Sequence, residues 1–198
     1  MTDIEQLKQE LSYYSVLAYN RVLVSSAGGN DSARIGDSDE FLITASGLSL
    51  GDTKPENLIT INAKAEKIAG PEGFKPSKES RMHAAIYTLR PDVKAIFHLH
   101  PRYCNALSIL GETIPLVTVS AKAKLGNVPL LPESMPGSDE LLRDVRNAIP
   151  TLDASVHTLL LACHGIVSMG ASIMEAYLRA DLVEETAHLV YLTKYRLS

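Results

Sequence analysis

The strongest constraint on this chain is a pair of histidines placed where a buried strand should end. Residues 93–105 read VKAIFHLHPRYCN, an apolar and β-branched run that leads directly into His98 and His100. Side chains two positions apart in a strand point to the same face of a sheet, so both imidazoles can reach one ion. Pro101 follows at once, and proline favours the end of a strand because it donates no hydrogen bond to the ladder. The pattern therefore predicts two histidines beside an open loop.

A second segment has the same design. Residues 158–165 read TLLLACHG, a short buried-strand pattern that ends in His164 and a glycine. Buried histidines that merely hydrogen-bond to their neighbours are the common alternative for a His-x-His pair. Three neutral imidazoles with an open coordination position are instead typical of a catalytic zinc site. We therefore predict that His98, His100 and His164 bind one metal ion.

Residues 77–89, which precede the strand that carries His98, predict a helix with a carboxylate in its first turn. An N-cap at Ser77 should start the helix, which runs through Leu89 and stops at Pro91. The helix dipole favours Glu79 near its start even without a further role. The functional interpretation is that Glu79 meets the histidines as a fourth ligand and as a base that moves a proton. His83, on the same helix face, is interpreted as a supporting or packing residue.

Three short polar stretches, at residues 28–30, 46–47 and 77–78, indicate where an anion could bind. Each one alone is more often a turn or a helix cap than a ligand site. Together with the N–H groups at the start of the helix after Ser77, they could cradle a phosphate or a carboxylate. Lys78 would add local positive charge to an acidic chain. The predicted binding residues are Gly29, Asn30, Ser46, Gly47, Ser77 and Lys78.

Helical and strand-like patterns alternate along the chain, which indicates one αβ sandwich domain over residues 1–198. Helices are predicted over roughly residues 1–25, 77–89, 103–110 and 139–148, and from residue 172 towards the end. Further strands are predicted at residues 32–35, 41–44, 58–62, 114–119, 158–163 and 166–169. Residues 70–76 and 126–137 are predicted to be loops.

Charge and composition argue against several classes of function. The formal net charge is −4 without a block of like charges, which disfavours a nucleic-acid surface and a basic membrane-binding face. No apolar run is long enough to cross a bilayer, and the N-terminal residues lack the pattern of a signal peptide. Cys104 and Cys163 are expected to be buried thiols rather than a disulfide. These features predict a cytoplasmic protein with a small-molecule ligand.

Five motifs, taken in order, resemble the class II aldolase/adducin family. They are AGGNDSAR at 27–34, LITASGLSLGD at 42–52, KPSKESRMHAAIY at 75–87, HLHPRYCNALS at 98–108 and CHGIVSMG at 163–170. The resemblance implies a three-layer αβα fold with a mostly antiparallel central sheet. It also implies a homotetramer, the usual assembly, with active sites at subunit interfaces.

The same resemblance implies roles for the predicted site residues. One zinc ion per subunit would be held by His98, His100 and His164, with Glu79 as catalytic acid/base and occasional ligand. The family's phosphate-binding positions correspond to Asn30, Ser46, Gly47 and Ser77. The implied reaction is cleavage of a ketose 1-phosphate, such as L-fuculose 1-phosphate, to dihydroxyacetone phosphate and an aldehyde.

Three positions depart from the aldolase pattern. Ala27 stands where sugar-phosphate aldolases often have a threonine, and Lys78 where a second serine is usual. Val119 occupies the place of the tyrosine proton donor of the fuculose-phosphate type. Tyr191 or Tyr195 of a neighbouring subunit could replace that tyrosine, although packing or surface display is the ordinary role of each.

Two other functions remain open. The Pro-Ser-Lys-Glu sequence at 76–79 is similar to the decarboxylase branch that acts on 3-oxo-tetronate 4-phosphates, and that reaction would use the same metal site. A non-catalytic, adducin-like interaction domain is the other alternative. The metal-binding histidines are typically absent from that branch, so their presence here counts against it.

Overall fold

The chain folds around one eight-stranded sheet in a computed structural model that describes residues 4–195. The strands are β1 (Asn30–Arg34), β2 (Glu40–Ile43), β3 (Ile59–Asn62), β4 (Lys67–Ala69), β5 (Ala95–Leu99), β6 (Leu130–Leu131), β7 (Thr158–Leu161) and β8 (Gly165–Gly170). The helices are α1 (Ile4–Asn20), α2 (Ser80–Leu89), α3 (Arg102–Ile109), α4 (Val119–Lys124), α5 (Asp139–Ala148) and α6 (Ile173–Tyr195).

The order of the strands places the histidine-bearing strand near the middle of the sheet. The order is β4-β3-β2-β1-β5-β8-β7-β6, and every pairing is antiparallel except that between β6 and β7. This arrangement confirms the mostly antiparallel sheet. It also means that β5 has a full hydrogen-bonded partner on each side, β1 and β8.

Helices cover both faces of the sheet and bury its apolar side chains. One core contains residues of α1, α3, α4 and α6, such as Leu11, Leu107 and Ala180. The other contains residues of α2 and α5, such as Met82 and Val145. Alternate residues of the strands point into each core, as the period of two requires. The predicted three-layer αβα arrangement is confirmed.

The start of α2 differs from the prediction that Ser77 is its N-cap. The helix begins at Ser80, and Glu79 occupies the N-cap position. Ser77 instead closes a turn before the helix: its Oγ accepts from the Glu79 N–H at 3.2 Å, and its carbonyl oxygen accepts from the Ser80 N–H at 3.1 Å. Because Ser77 uses its hydroxyl locally, Glu79 is placed at the point where the chain enters the helix.

The predicted strand at residues 114–119 is wrong. Residues 112–117 have no regular structure, and Thr118 caps α4 by accepting from the Ala121 N–H at 3.0 Å. The segment is rich in β-branched residues, but Val117 and Val119 are exposed rather than half-buried in a sheet. The outer edge of β7 is occupied by β6, which lies within the predicted loop at 126–137.

The predicted first helix was too long and two short strands were missed. α1 ends at Asn20 because the chain turns with a positive φ of 60° at Val22. Residues 1–3 of that prediction lie outside the described residues. β4 and β6 have three and two residues, too few to show an alternating pattern. The helix capped by Ser138 was predicted with its observed bounds.

Only one of the two cysteines is buried as predicted. Cys104 lies in the core under α3, and Cys163 is exposed; both are free thiols. Cys163 stands in the turn between β7 and β8 with a φ of 56°, so the turn rather than the strand determines its exposure. None of the helices described is both long and apolar enough to cross a membrane.

The burial of one ionisable side chain was not predicted from the sequence. Asp31 of β1 is 0% exposed and lies two residues before Ala33, which packs in the core under α1 and α6. Neither carboxylate oxygen has a hydrogen-bond partner among residues 4–195 that meets normal geometry. Burial raises the pKa of the Asp31 carboxyl well above its usual range, and the nearby Ser15 hydroxyl offsets only part of that effect. The folded chain therefore favours the protonated form of Asp31.

Replacing Asp31 by valine should stabilise the protein and flatten its pH dependence. The folded state holds a proton that the unfolded state releases above its ordinary carboxyl pKa, so wild-type stability should fall as pH rises from about 4. Removing the unpaired carboxyl should raise the free energy of unfolding near pH 7 by roughly 1–3 kcal/mol. Urea unfolding at pH 5 and pH 8 measures this, with Glu56→Gln, an exposed carboxyl, as control. Equal pH slopes for wild type and Asp31→Val would contradict the assignment.

Candidate metal centre

The pairing of two neighbouring strands brings the three predicted histidines together. β5 and β8 run antiparallel with Leu99 opposite Ile166, so the end of β5 lies beside the start of β8. His98 belongs to β5, His100 follows its last residue, and His164 lies immediately before β8. Ligand atoms of the three side chains lie within 4.8 Å of one another. The structure thus collects these side chains from two distant segments of the sequence.

A backbone carbonyl fixes the proton of His98. Its Nδ1 lies 2.9 Å from the carbonyl oxygen of Ile166, and since a carbonyl only accepts, Nδ1 carries the proton and donates it. In the neutral ring Nε2 then presents a lone pair to the cluster. Nε2 lies 3.1 Å from His100 Nε2 and 3.0 Å from Glu79 Oε2. A carbonyl behind the ring is the usual way in which a metal-binding imidazole is oriented.

The donor set fits a divalent cation. Glu79 Oε1 and both ring nitrogens of His164 have no hydrogen-bond partner in the described part of the chain, and Oε1 lies 3.6 Å from His164 Nε2. Buried acceptors that face one another without a donor are costly, and a cation between them removes that cost. Zinc takes such ligands at about 2.0–2.2 Å, so two ligand atoms of a tetrahedral site lie about 3.3 Å apart. The separations of 3.0 and 3.1 Å around His98 Nε2 are close to this value.

Burial and neighbouring groups keep the cluster in the protonation states that bind metals. Burial, and then interaction with His98, lowers the pKa of His100 to about 3 and that of His164 to about 4. Both rings are therefore neutral near pH 7. Burial alone would raise the pKa of Glu79, but His98, His164 and Asn30 together outweigh it and hold that pKa well below its usual range. Glu79 is therefore an ionised carboxylate.

Asn30 connects the carboxylate to the sheet. Its Nδ2 donates to Glu79 Oε2 at 2.9 Å, and in the β1–β5 pairing Asn30 lies opposite His98. The amide thus holds the start of α2 over the strand that carries the first ligand. The sequence predicted Asn30 only as an anion-binding residue, so this supporting contact was missed.

The same contact begins a polar ladder between β1 and α2, formed by Asn30, Ser32, Arg34, Glu79, His83 and Tyr87. Ser32 Oγ lies 2.6 Å from His83 Nδ1 and 2.8 Å from the Tyr87 hydroxyl, and Arg34 Nη2 donates to the Tyr87 carbonyl at 2.7 Å. Alternate strand residues meet helix residues four apart because both spacings select one face. Burial and then His98 lower the pKa of His83 to about 3, so it stays neutral. The prediction that His83 is a supporting residue agrees with these contacts.

Glycines allow the backbone to close around His100. A Cβ atom at Gly28 would lie 2.8 Å from His100 Nδ1, and one at Gly165 would clash with the Leu99 carbonyl and lie 2.7 Å from His100 Cδ2. Only a glycine fits at these close approaches. The predicted site residue Gly47 has a φ of +79°, which likewise favours glycine.

A cavity of about 270 Å³ opens beside the histidines. His100, His164 and Glu79 line it, whereas His98 is fully buried behind them. All the residues predicted to bind an anion also line it: Gly29, Asn30, Ser46, Gly47, Ser77 and Lys78. The structure therefore brings all the residues predicted to bind an anion to one cavity.

A short bridge explains how the three polar stretches meet. Ala45 pairs with Pro76 in an isolated antiparallel bridge, and the Ser46 N–H donates to the Lys75 carbonyl at 2.9 Å. This contact joins the segments that carry Ser46 and Ser77, and both residues line the cavity. The N–H groups of Glu79 and Ser80 are bonded to Ser77, so these two N–H groups are not free to bind an anion.

Other residues of the cavity and of the sequence prediction fall in different places. Ala27, Gly28, Ala45 and Pro136 also line the cavity, although none of them was predicted to bind a ligand. Val119 is 85% exposed on α4 and does not line it. Tyr191 packs near Tyr103, with ring centroids 5.5 Å apart. The side chain of Tyr195 lies outside the described part of the chain.

The fold and the site together define an αβα protein with a three-histidine, one-carboxylate centre at the end of two central strands of its sheet. The chain belongs to the class II aldolase and adducin family, because the family model for the Class II Aldolase and Adducin N-terminal domain matches residues 9–191. The expected family is thereby confirmed.

The chain is similar to relatives that are named for two different activities. An L-fuculose phosphate aldolase of Methanococcus maripaludis is 34% identical over 89% of this chain and 91% of its own length. A 3-oxo-tetronate 4-phosphate decarboxylase of Escherichia coli is 33% identical over 95% of this chain and 87% of its own. YgbL of Klebsiella pneumoniae, described as a candidate aldolase, epimerase or decarboxylase, superposes with a TM-score of 0.89 at 31% identity, covering 99% of this chain and 93% of YgbL.

Removing one histidine of the cluster should abolish tight metal binding. We expect wild-type protein, purified without a histidine tag, to take up one zinc ion per chain. His100→Asn or His164→Asn should weaken zinc binding by more than about 100-fold. Loss of a group that only orients a ligand costs about 10–100-fold in metal affinity, and loss of the ligand itself should cost more. Chelator competition and elemental analysis measure this, and His157→Asn, outside the cluster, is the control. Unchanged zinc uptake by both cluster variants would contradict the site.

Proposed function

We propose that this chain is a zinc-dependent carbon–carbon lyase acting on a small phosphorylated sugar or sugar acid. The observation that carries the proposal is the position of Glu79, a buried carboxylate 3.0 Å from His98 Nε2 that also lines the cavity. Relatives named for an L-fuculose phosphate and for a 3-oxo-tetronate 4-phosphate support this class of substrate. The proposal includes a cytoplasmic location, which follows from the sequence prediction alone.

His98, His100 and His164 would hold the ion, with Glu79 as a further ligand that can leave. When bound, zinc supplies Lewis-acid chemistry, polarising a carbonyl oxygen and stabilising the negative charge that develops beside it. The chain contributes neutral imidazoles at His100 and His164, and the Ile166 carbonyl keeps His98 Nε2 directed into the cluster.

Glu79 is the proposed acid and base. Its lowered pKa keeps it ionised near pH 7, so it can take a proton from carbon or return one. Asn30 donates to Oε2, which leaves Oε1 as the oxygen without a partner in the described residues. We therefore assign proton transfer to Glu79 Oε1, with Asn30 holding the carboxylate in place.

The other end of the cavity would bind the phosphate. Ser46 and Gly47 are exposed at its mouth, Ser77 supplies a hydroxyl, and Lys78 supplies the positive charge. Gly29 and Asn30 complete the set. A phosphate bound here would place the reacting carbons of a three- or four-carbon unit towards Glu79 and the histidines.

The leading reaction is retro-aldol cleavage of a ketose 1-phosphate such as L-fuculose 1-phosphate. This cleavage also takes a proton from the hydroxyl group that becomes the aldehyde. The groups lining the cavity that can move a proton are Lys78, Glu79, His100 and His164, and no described tyrosine lines it. We therefore propose a homotetramer in which a neighbouring subunit supplies that group.

Decarboxylation of a 3-oxo-tetronate 4-phosphate is the second candidate, favoured by Lys78. This reaction needs a stabilised carbanion and one proton to replace the departing carbon dioxide. Glu79 could take that proton from water and pass it to the carbanion without a partner subunit. A substrate with both a carboxylate and a phosphate also gains from the charge of Lys78 at the cavity. The two reactions share the site and differ in the group that leaves.

Replacing Glu79 by glutamine should stop turnover without removing the metal. The amide keeps the shape of the side chain but cannot accept a proton, so kcat should fall by about 10²–10⁴-fold. Zinc stoichiometry should stay close to one because the histidines remain. Glu72→Gln, an exposed carboxyl in the loop before α2, is the matched control. Full activity of Glu79→Gln would exclude the proposed role.

Product analysis separates the two reactions. With L-fuculose 1-phosphate we expect dihydroxyacetone phosphate and an aldehyde, and with a 3-oxo-tetronate 4-phosphate no carbon dioxide. The reverse result would replace the aldolase by the decarboxylase, and no reaction with either would remove both named substrates.

Lys78→Ser should raise KM for the true substrate by about 10-fold or more through loss of a charge-assisted contact, while Lys64→Ser, on an exposed turn, should not.

A further inference from the structure

Helix α3 links two segments that carry the histidines. It begins at Arg102, two residues after His100, and ends at Ile109. Near its other end, Ser108 Oγ accepts from the Cys163 N–H at 3.1 Å, and Cys163 immediately precedes His164. One short helix therefore contacts the chain next to both His100 and His164.

A carboxylate from the last helix holds the start of α3. Pro101 occupies the N-cap position and makes no side-chain cap, so the first N–H groups of α3 need another acceptor. Glu184 of α6 provides it: Oε2 accepts from the N–H groups of Tyr103 at 3.2 Å and Cys104 at 3.0 Å, and Oε1 lies 3.0 Å from the Tyr103 nitrogen. A negative charge at a helix N-terminus is stabilising.

A ring contact strengthens this attachment. His188, one turn after Glu184, stacks on Tyr103 with ring centroids 3.9 Å apart and planes inclined by 17°. The start of α3 is thus fixed to α6 by a carboxylate and an aromatic pair. Because α6 packs along the sheet, this fixes His100 relative to β5 and β8.

The opposite end of α3 supports a strained residue. Cys163 has a φ of 56°, a conformation that non-glycine residues adopt at a cost. The Ser108 hydroxyl donates to the Asn105 carbonyl at 2.9 Å and accepts from the Cys163 N–H, so it is fully oriented. Ser108 is 2% exposed, and no water can replace it easily. This contact holds the turn that directs His164 into the cluster.

We propose that Glu184 and Ser108 are positioning residues for the metal centre, which hold α3 as a rigid brace between His100 and His164. The inference rests on the proposed metal site, but it concerns residues that do not touch the ion or the cavity. Its consequence is that the affinity of the cluster for zinc depends on a carboxylate in α6 that contacts Cys104, eighty residues earlier in the sequence.

Metal affinity of purified protein tests the proposal independently of enzyme activity. Glu184→Ala and Ser108→Ala should each weaken zinc binding by about 10-fold, the lower end of the effect of groups that orient ligands. Glu184→Gln keeps an oxygen acceptor and should lie between wild type and Glu184→Ala. Glu185→Gln, the exposed neighbour of Glu184, should bind zinc like the wild type.

Two further measurements separate positioning from loss of stability. The visible spectrum of the Co²⁺-loaded protein should change in Glu184→Ala and Ser108→Ala, and amide exchange at Tyr103 and Cys104 should accelerate in Glu184→Ala. A lower Tm with unchanged zinc affinity and an unchanged cobalt spectrum would overturn the proposal. If Glu184→Ala does not fold, Glu184→Gln and Ser108→Ala decide it by the same readouts. Failure of the wild type itself to bind zinc would overturn the proposed function instead.

Discussion

The candidate metal centre depends on a cluster of buried acceptors that residues 4–195 satisfy only in part. Glu79 is ionised, His98 has its proton turned away towards Ile166, and His100 and His164 are neutral near pH 7. Such a group of acceptors is unfavourable in a buried place unless a cation joins them. The surrounding elements, strands β5 and β8 and the start of α2, keep these groups close despite that cost.

The position of Glu79 also depends on the polar ladder between β1 and α2. A helix can usually slide or rotate on a sheet when only apolar side chains separate them, because such contacts are not directional. Here Ser32 joins His83 and Tyr87, and Asn30 joins Glu79, so the axial position of α2 is fixed by hydrogen bonds. The carboxylate therefore keeps its height above the histidines.

The sequence was most informative where one pattern served both fold and site. A strand that ends in His-x-His-Pro predicts where the strand stops and that both histidines share one face. His98 and His100 lie at the end of β5, where that pattern places them. Prediction was wrong where local composition and tertiary contacts disagree. Residues 114–119 have a strand-like composition, but the position beside β7 is occupied by β6 and these residues stay outside the sheet. Ser77 has the chemistry of an N-cap but closes the preceding turn. The burial of Asp31, the Asn30–Glu79 contact and the capping of α3 by Glu184 depend on segments far apart in sequence, so no local pattern could reveal them.

The two ends of the cavity differ in how firmly they are built. His98 lies in a central strand paired on both sides, in the part of a fold that opens only when the whole molecule unfolds. Ser46, Gly47 and Lys78 are exposed and lie outside the strands and helices. Substitutions at the loops can therefore change the mouth of the cavity while the histidine cluster stays intact. Because of this division, the residues at the cavity mouth can vary in sequence independently of the histidine cluster.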